Sequence, residues 1–187
     1  WKICLVGAPT RPADMAPDAR DREMADVAHD TGRTPMTRHT VQVATLALLI
    51  GRELGLSDQA LSDLGVCAGL HDAGFFVRNG GLPTPAEFHA SAGAGLMLAQ
   101  RGFHEARVRR MLAILEHHDR FDADPRPSLF ARILKIADNY DTLTRHRPGG
   151  ALMLPTTAIG KMYAARGSLY DPDLLQIFVN RIGPHPP

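Results

Sequence analysis

The sequence has few cysteines, no excess of either charge and no long apolar run. Cys4 and Cys67 are too few for a disulfide framework and fit a reducing compartment, so we predict a cytoplasmic protein. Lysine and arginine number 21 against 20 aspartates and glutamates, which leaves no broad basic surface for DNA or RNA. The longest nearly apolar run, residues 43–50, is interrupted by Thr45 and is too short to span a membrane.

The start of the chain differs in composition from the rest. Residues 2–7 predict a short strand. Residues 8–36 are rich in proline, aspartate, arginine and alanine and could form a linker or an arm with one helix near residues 21–29. Because the chain begins at Trp1 rather than at methionine, we expect residues 1–36 to be an N-terminal segment or the remnant of a preceding domain. Residues 37–187 should form one helical domain.

Apolar periodicity after that segment predicts about seven helices, hence an all-α fold preceded by a short non-helical or mixed segment. Thr37 and Ser57 are predicted N-caps of the first two helices. Thr84, Pro85 and Glu87 predict the start of the third as N-cap, first helical residue and capping box. The residues predicted to face inward on the third helix are His89, Ala92, Gly93 and Leu96. On the fourth helix they are Val108, Met111, Leu112, Leu115 and His118.

Histidines and aspartates recur at helix ends or on these apolar stripes. A single buried histidine is usually a core residue bonded to a backbone carbonyl, but buried polar groups without partners are rare, and one shared metal centre would satisfy the whole set. Asp72 has two oxygens and could bridge two ions, while neutral His71 could ligate one of them. Histidines with carboxylates suit iron, manganese, nickel or zinc better than calcium. The set is His39, His71, Asp72, His89, His117, His118 and Asp138.

The order of these residues resembles the HD superfamily of metal-dependent phosphohydrolases, and more narrowly its HD-GYP branch, which hydrolyses cyclic di-GMP. Residues 69–74, G-L-H-D-A-G, resemble the L-H-D-I-G of that branch. Residues 87–93 resemble its helix with a histidine four residues before a glycine. Residues 132–144 resemble its R-I-L-x-I-A-D-x-Y-D-A-L-T, and the similarity extends over most of residues 37–183.

The resemblance implies an HD-domain helical bundle with two divalent transition-metal ions, of which iron or manganese is favoured. Two such ions neutralise charge on a phosphodiester and activate water. Asp72 and His71 would act in catalysis, with Asp72 as the bridge. A regulatory domain N-terminal to this chain fits the family, and a homodimer is left open. One ion would bind His39, His71, Asp72 and Asp138, and the second would bind Asp72, His89, His117 and His118.

Several positions depart from the pattern of that branch. Phe75 stands where the family has lysine, and Pro35 stands where some members have a glutamate that adds a third ion, so two ions are expected. In the loop after the double histidine, residues 125–126 are Pro-Arg instead of Gly-Tyr. Arg147 resembles the arginine of a phosphate-holding R-P pair, although two glycines follow where aromatic and basic residues are usual. Arg126 and Arg147 are therefore the predicted substrate-binding residues.

These observations favour a dinuclear-metal phosphodiesterase for cyclic di-GMP or a related cyclic dinucleotide, in bacterial signalling. Two alternatives remain open because the recognition loop is altered while the metal-ligand set is complete. One is a catalytically impaired signalling module that binds cyclic dinucleotides. The other is an HD nucleotide phosphohydrolase of different specificity.

Overall fold

The computed structural model describes residues 33–99, 105–145 and 153–183. Within these ranges the chain is almost entirely helical, which confirms the predicted all-α class. The predicted strand at residues 2–7 and the N-terminal segment up to residue 32 lie outside the described residues, so the proposed domain boundary stays a prediction. The helices are α1 Arg33–Glu53, α2 Asp58–Leu70, α3 His89–Ala99, α4 Glu105–Glu116, α5 Leu129–Thr144, α6 Pro155–Ala164 and α7 Pro172–Ile182.

A small hairpin lies between α2 and α3 and includes the only strands among the described residues. Strands β1 Arg78–Asn79 and β2 Leu82–Pro83 pair antiparallel, with Arg78 opposite Pro83. Gly80 and Gly81 form the turn with φ angles of 61° and 85°, a left-handed conformation that favours glycine. The 3-10 helices Ala73–Phe76 and Ala86–Phe88 flank the hairpin on its two sides.

Helix α5 lies at the centre of the bundle. Most of its length is buried against α1, α2, α4, α6 and α7. A helix that is apolar around most of its circumference is expected to be enclosed in this way. Full burial of one leucine or isoleucine side chain stabilises the fold by about 1.5–3 kcal/mol. Its fully buried aliphatic residues include Ile133, Leu134, Ile136 and Ala137.

Two of the predicted helix starts are wrong and one is confirmed. Ser57 caps α2, since its hydroxyl accepts a hydrogen bond from the backbone N–H of Ala60 at 3.3 Å. Helix α1 begins at Arg33, so Thr37 lies inside it rather than at its cap. Pro35 is tolerated in the first turn because the N–H it lacks would have no helical partner there.

Thr84 belongs to the hairpin and does not cap a helix. Its hydroxyl donates to the carbonyl of Val77 at 2.7 Å, and its N–H reaches the same oxygen at 3.2 Å. The chain then forms a 3-10 turn without a side-chain cap, and α3 begins only at His89. The predicted capping box is therefore wrong, because closure of the hairpin takes up the side chain that would have capped.

The predicted inward stripes of α3 and α4 are also partly wrong. Helix α3 is apolar nearly all round, so its sequence does not determine which face packs inward. The structure leaves Leu96 exposed and buries His89, Gly93, Ala94 and Met97. Helix α4 buries Ala113 and Ile114, while Leu115 is exposed.

The face of α4 that packs inward is determined by an ion-pair cluster that the sequence does not reveal. Asp63 of α2 is fully buried, and its carboxylate accepts hydrogen bonds from Arg109 at 3.2 Å and from Arg110 at 3.0 Å. Positions four residues after these arginines are Ala113 and Ile114, which therefore face the same neighbour. Neither arginine is among the residues predicted to face inward, yet both lie on the side of α4 that faces α2.

Among the described helices, none combines the length and the apolar character that crossing a lipid bilayer requires.

Candidate metal centre

The fold brings all seven predicted metal ligands to one place. Helix α1 carries one histidine in its interior, and the end of α2 presents the adjacent histidine and aspartate. Helix α3 begins with a histidine, the end of α4 gives two more, and α5 gives an aspartate from its middle. Only the second histidine of the α4 pair is more than slightly exposed. The side chains are His39, His71, Asp72, His89, His117, His118 and Asp138.

These side chains form two groups that share Asp72. Each residue of the first group, His39, His71 and Asp72, offers one donor atom within 4.8 Å of the donor atoms of the others. The same holds for the second group, Asp72, His89, His117 and His118. Asp138 adds a carboxylate to the first group, with Oδ1 3.5 Å from Nε2 of His39.

The two carboxylate oxygens of Asp72 face different pairs of histidines. Oδ2 lies 3.3 Å from Nε2 of His39 and 3.1 Å from Nε2 of His71. Oδ1 lies 3.4 Å from Nε2 of His89 and 3.7 Å from Nε2 of His117. A carboxylate placed in this way can give one oxygen to each of two cations.

Three of the histidines are oriented by the backbone of their own segment. Nδ1 of His71 donates to the carbonyl of Ala68 at 2.8 Å, and Nδ1 of His117 donates to that of Ile114 at 2.6 Å. Both carbonyls lie in the last turn of a helix, where carbonyl groups lack helical partners. His89 donates in the same way to a carbonyl three residues earlier. A carbonyl only accepts, so Nδ1 carries the proton and Nε2 keeps its lone pair.

The Nε2 atoms of these three histidines converge with those of His39 and His118. Nε2 of His71 lies 3.3 Å from Nε2 of His39, and the Nε2 atoms of His89 and His117 are 3.4 Å apart. Nε2 of His118 lies 2.9 Å from Nε2 of His89. Lone pairs facing one another at such distances repel unless a cation lies between them. The donor set, neutral imidazoles with carboxylates, fits divalent transition metals.

Asp141 is a functional candidate that the sequence analysis missed. Its Oδ2 accepts a hydrogen bond from Nδ1 of His39 at 2.6 Å, which directs the other ring nitrogen of His39 toward the centre. Arg145 Nε approaches the same oxygen at 3.7 Å. A signal was present, because Asp141 follows Asp138 by three residues and therefore lies on the same helix face.

Lys135 was missed as well. Its Nζ donates to the backbone carbonyl of His118 at 2.7 Å and so ties α5 to the end of α4. The positive charge of Lys135 also opposes the rise in the pKa of Asp119, which burial and the charge of Glu116 cause.

The electrostatics of the centre favour an ionised bridge and a neutral ligand. Burial raises the pKa of Asp72, but in the metal-free protein the charge of a protonated His71 and the hydrogen bonds that His117 and His39 can donate when protonated outweigh it, so this pKa lies well below its usual range. Burial lowers the pKa of His117 to about 4, against the opposing effect of Asp72. For His39, burial lowers the pKa, but hydrogen bonds to Asp141 and Asp72 give a net rise. A metal ion would replace that proton.

Gly74 is required by the close approach of two segments beside the site. A Cβ at this position would lie 1.8 Å from the carbonyl oxygen of His89 and 2.8 Å from the backbone nitrogen of Gly93. Any side chain would therefore push the segment after Asp72 away from the start of α3. The glycine after the His-Asp pair thus allows both segments to bring ligands to one centre.

The two predicted substrate-binding arginines have different outcomes. Arg126 lies on the exposed loop after α4, with its guanidinium carbon 4.4 Å from the centroid of the Phe121 ring. Arg147 lies outside the described residues. Their role in substrate binding stays a prediction, as does the catalytic role of His71 and Asp72.

Comparison with known families now decides the family of this helical bundle. Residues 36–143, more than half of the chain, match the HD domain family. The chain belongs to the HD domain family. The matched region runs from the end of the first turn of α1 to the last turn of α5 and includes every residue of the two ligand groups.

Curated relatives of this HD domain come from several bacteria. A cyclic di-GMP phosphodiesterase of Pseudomonas aeruginosa is 29% identical over 167 residues, covering 79% of this chain and 39% of that relative. A cyclic di-GMP phosphodiesterase response regulator of Xanthomonas campestris is 28% identical over 150 residues, with 70% and 39% covered. A cyclic di-GMP phosphodiesterase of Thermotoga maritima is 26% identical over 161 residues, with 76% and 43% covered. The chain thus spans about two fifths of the length of these relatives.

A solved structure supports the fold. An HDG"Y"P protein from Bdellovibrio bacteriovorus superposes with a TM-score of 0.62 at 15% identity, covering 88% of this chain and 64% of that one. The resemblance stated from the sequence is confirmed by these comparisons.

Proposed function

We propose that this chain is a dinuclear-metal phosphodiesterase that hydrolyses cyclic di-GMP or a related cyclic dinucleotide. One observation carries the proposal: the two oxygens of Asp72 face two separate groups of histidine Nε2 atoms. The names of the curated relatives support the substrate class. Because the chain spans only part of their length, its activity and substrate are proposals.

The proposed ligand sets follow the two groups around Asp72. Such a pair of ions, proposed to be iron or manganese, would supply Lewis-acid stabilisation of the phosphodiester and lower the pKa of a water molecule. The first set is His39, His71, Asp72 and Asp138, and the second is Asp72, His89, His117 and His118.

The protein's own contribution is to hold these side chains before substrate arrives. Backbone carbonyls fix His71 and His117, and Asp141 fixes His39, so little reorganisation is needed on binding. His118 is the most exposed member of the set, and we propose that a phosphate approaches from its side. The adjacent loop carries Arg126, whose planar guanidinium suits phosphate oxygens.

A second candidate function is binding of a cyclic dinucleotide without turnover. The altered loop favours it, because Arg126, stacked on Phe121, stands where the HD-GYP branch has the loop tyrosine, while every proposed metal ligand is present. Arg147 is proposed to contact substrate in either case. A cytoplasmic location, a regulatory domain N-terminal to this chain and a homodimer also remain predictions.

Product analysis of cyclic di-GMP incubated with the iron- or manganese-loaded protein tests the proposal. We expect a linear dinucleotide or a mononucleotide from the parent protein and none from Asp72→Ala. Absence of product from the parent with both ions bound would contradict the phosphodiesterase, and calorimetric binding of intact cyclic di-GMP would then support the second candidate.

A further inference from the structure

Two neighbouring phenylalanines beside the metal centre have opposite environments. Phe75 and Phe76 are consecutive residues of the 3-10 helix Ala73–Phe76, yet their exposures are 6% and 70%. The ring of Phe75 is stacked on the imidazole of His89, with centroids 4.2 Å apart and planes only 9° from parallel. Phe76 is thus a natural control for Phe75.

The stacking adds a constraint on His89 that its hydrogen bond does not supply. Nδ1 of His89 donates to the carbonyl of Ala86 at 2.5 Å, and this bond fixes the direction of the opposite ring nitrogen. The imidazole could still tilt about that bond. A parallel ring 4.2 Å away restricts the tilt and keeps Nε2 aimed toward Oδ1 of Asp72, 3.4 Å distant.

The burial of Phe75 serves this corner of the protein rather than the main core. The large core is built from α1, α2, α4, α5, α6 and α7 and does not include Phe75. Phe75 forms a separate cluster with Ala86, against which Met36 packs. Ala86 is also the residue whose carbonyl accepts the hydrogen bond from His89. The two buried members of this cluster, Phe75 and Ala86, therefore both contact the His89 imidazole.

We propose that Phe75 is a positioning residue that holds the His89 imidazole for the second metal ion and selectively strengthens binding of that ion. The proposal rests on the proposed dinuclear centre and assigns the second ion a dependence that the first does not share. None of the described ring contacts involving His39 or His71 is with a phenylalanine.

Titration of the metal-free protein with Co²⁺, followed by its visible absorption, tests this dependence. Phe75→Leu keeps an apolar side chain but removes the flat ring, and we expect roughly tenfold weaker binding of one ion with the other unchanged. Phe76→Leu should bind both ions like the parent, and Phe75→Tyr should restore parental affinity. The proposal would be overturned if Phe75→Leu bound both ions as tightly as the parent or bound both ions more weakly to the same extent. It would also be overturned if the leucine and tyrosine variants lost the same affinity.

A second measurement needs no metal. In the metal-free protein, ring stacking should shift the His89 side-chain proton resonances upfield, and Phe75→Leu should remove that shift while Phe76→Leu keeps it. Unchanged His89 resonances in Phe75→Leu would overturn the proposal. If Phe75→Leu does not fold, Phe75→Met takes its place in both measurements. A parent that binds no cobalt would contradict the proposed function itself, whereas normal two-ion binding in Phe75→Leu would contradict only the role of Phe75.

Discussion

Nδ1 of His39 on α1 lies 2.6 Å from Oδ2 of Asp141 on α5, and this bond joins the two helices at the metal centre. Nε2 of His39 is thereby left facing Asp72 at 3.3 Å and Asp138 at 3.5 Å. A carboxylate partner on the far nitrogen fixes the tautomer of a ligand histidine and raises its basicity. Asp141 would therefore support the proposed first ion without contacting it.

Asp141→Asn should selectively weaken binding of the first ion. The amide is neutral and holds the imidazole less firmly, so we expect roughly 10- to 100-fold lower affinity for one ion in a calorimetric titration. Asp173→Asn, on the exposed start of α7, is the matched control and should leave both affinities unchanged. Parental binding of both ions by Asp141→Asn would contradict this role.

Asp72→Ala should abolish the dinuclear centre. The substitution removes the only carboxylate that faces both histidine groups among the described residues, so two cations would face each other with less negative charge between them. Metal content should fall below one ion per chain, and hydrolysis should vanish. Retention of two ions by Asp72→Ala, measured by elemental analysis, would show that Asp72 does not bridge.

The Asp63 cluster predicts an asymmetry in stability. Replacing both Arg109 and Arg110 with alanine leaves a fully buried carboxylate without a cation, with only a hydrogen bond from Gln59 at 3.5 Å, and should cost about 3–5 kcal/mol of unfolding free energy. Asp63→Ala should cost less, because the partly exposed arginines can then reach water. Urea denaturation of both variants measures the difference.

The control for this comparison is a surface ion pair. Arg181→Ala removes an exposed partner of Glu53 and should cost less than about 1 kcal/mol. An Asp63→Ala variant less stable than the double arginine variant would contradict this account. It would mean that losing its partner costs the arginines more free energy than it costs the carboxylate.

Cys67 should make the unfolding free energy fall at alkaline pH. Burial raises the pKa of its thiol from the ordinary 9.0 to about 12. Above pH 9.0 the unfolded chain releases this proton before the folded chain does, so its contribution to stability is complete below that pH and is lost as pH rises toward 12. One proton corresponds to about 1.4 kcal/mol per pH unit. Cys67→Ala should show a shallower slope by that amount between pH 9.5 and 11, and identical slopes would contradict the buried thiol.

The convergence of the seven candidate ligands could be predicted from sequence because each of them ends or interrupts an apolar stripe. His71 follows Leu64, Cys67 and Ala68 on one helix face, and all four are buried as the spacing predicts. Local periodicity is sufficient for such residues, since their burial follows from the helix they end.

Residues whose partners are distant in sequence could not be placed in the same way. Asp63 and Asp141 look like surface carboxylates until helices far along the chain supply Arg109, Arg110 and His39. Thr84 failed as a cap for a related reason. Its alternative partner, a carbonyl seven residues back, exists only once the hairpin has closed.

Elemental analysis of the protein free of any affinity tag is the most direct test of the dinuclear centre. The centre described above predicts two transition-metal ions per chain, bound by two histidine groups that share Asp72. Pro35 offers no ligand for a third ion. Protein purified without chelators and then reloaded with Fe²⁺ or Mn²⁺ should reach a ratio of two and stay there as more metal is added. A ratio near zero, or a saturating ratio of one or three, would contradict the account.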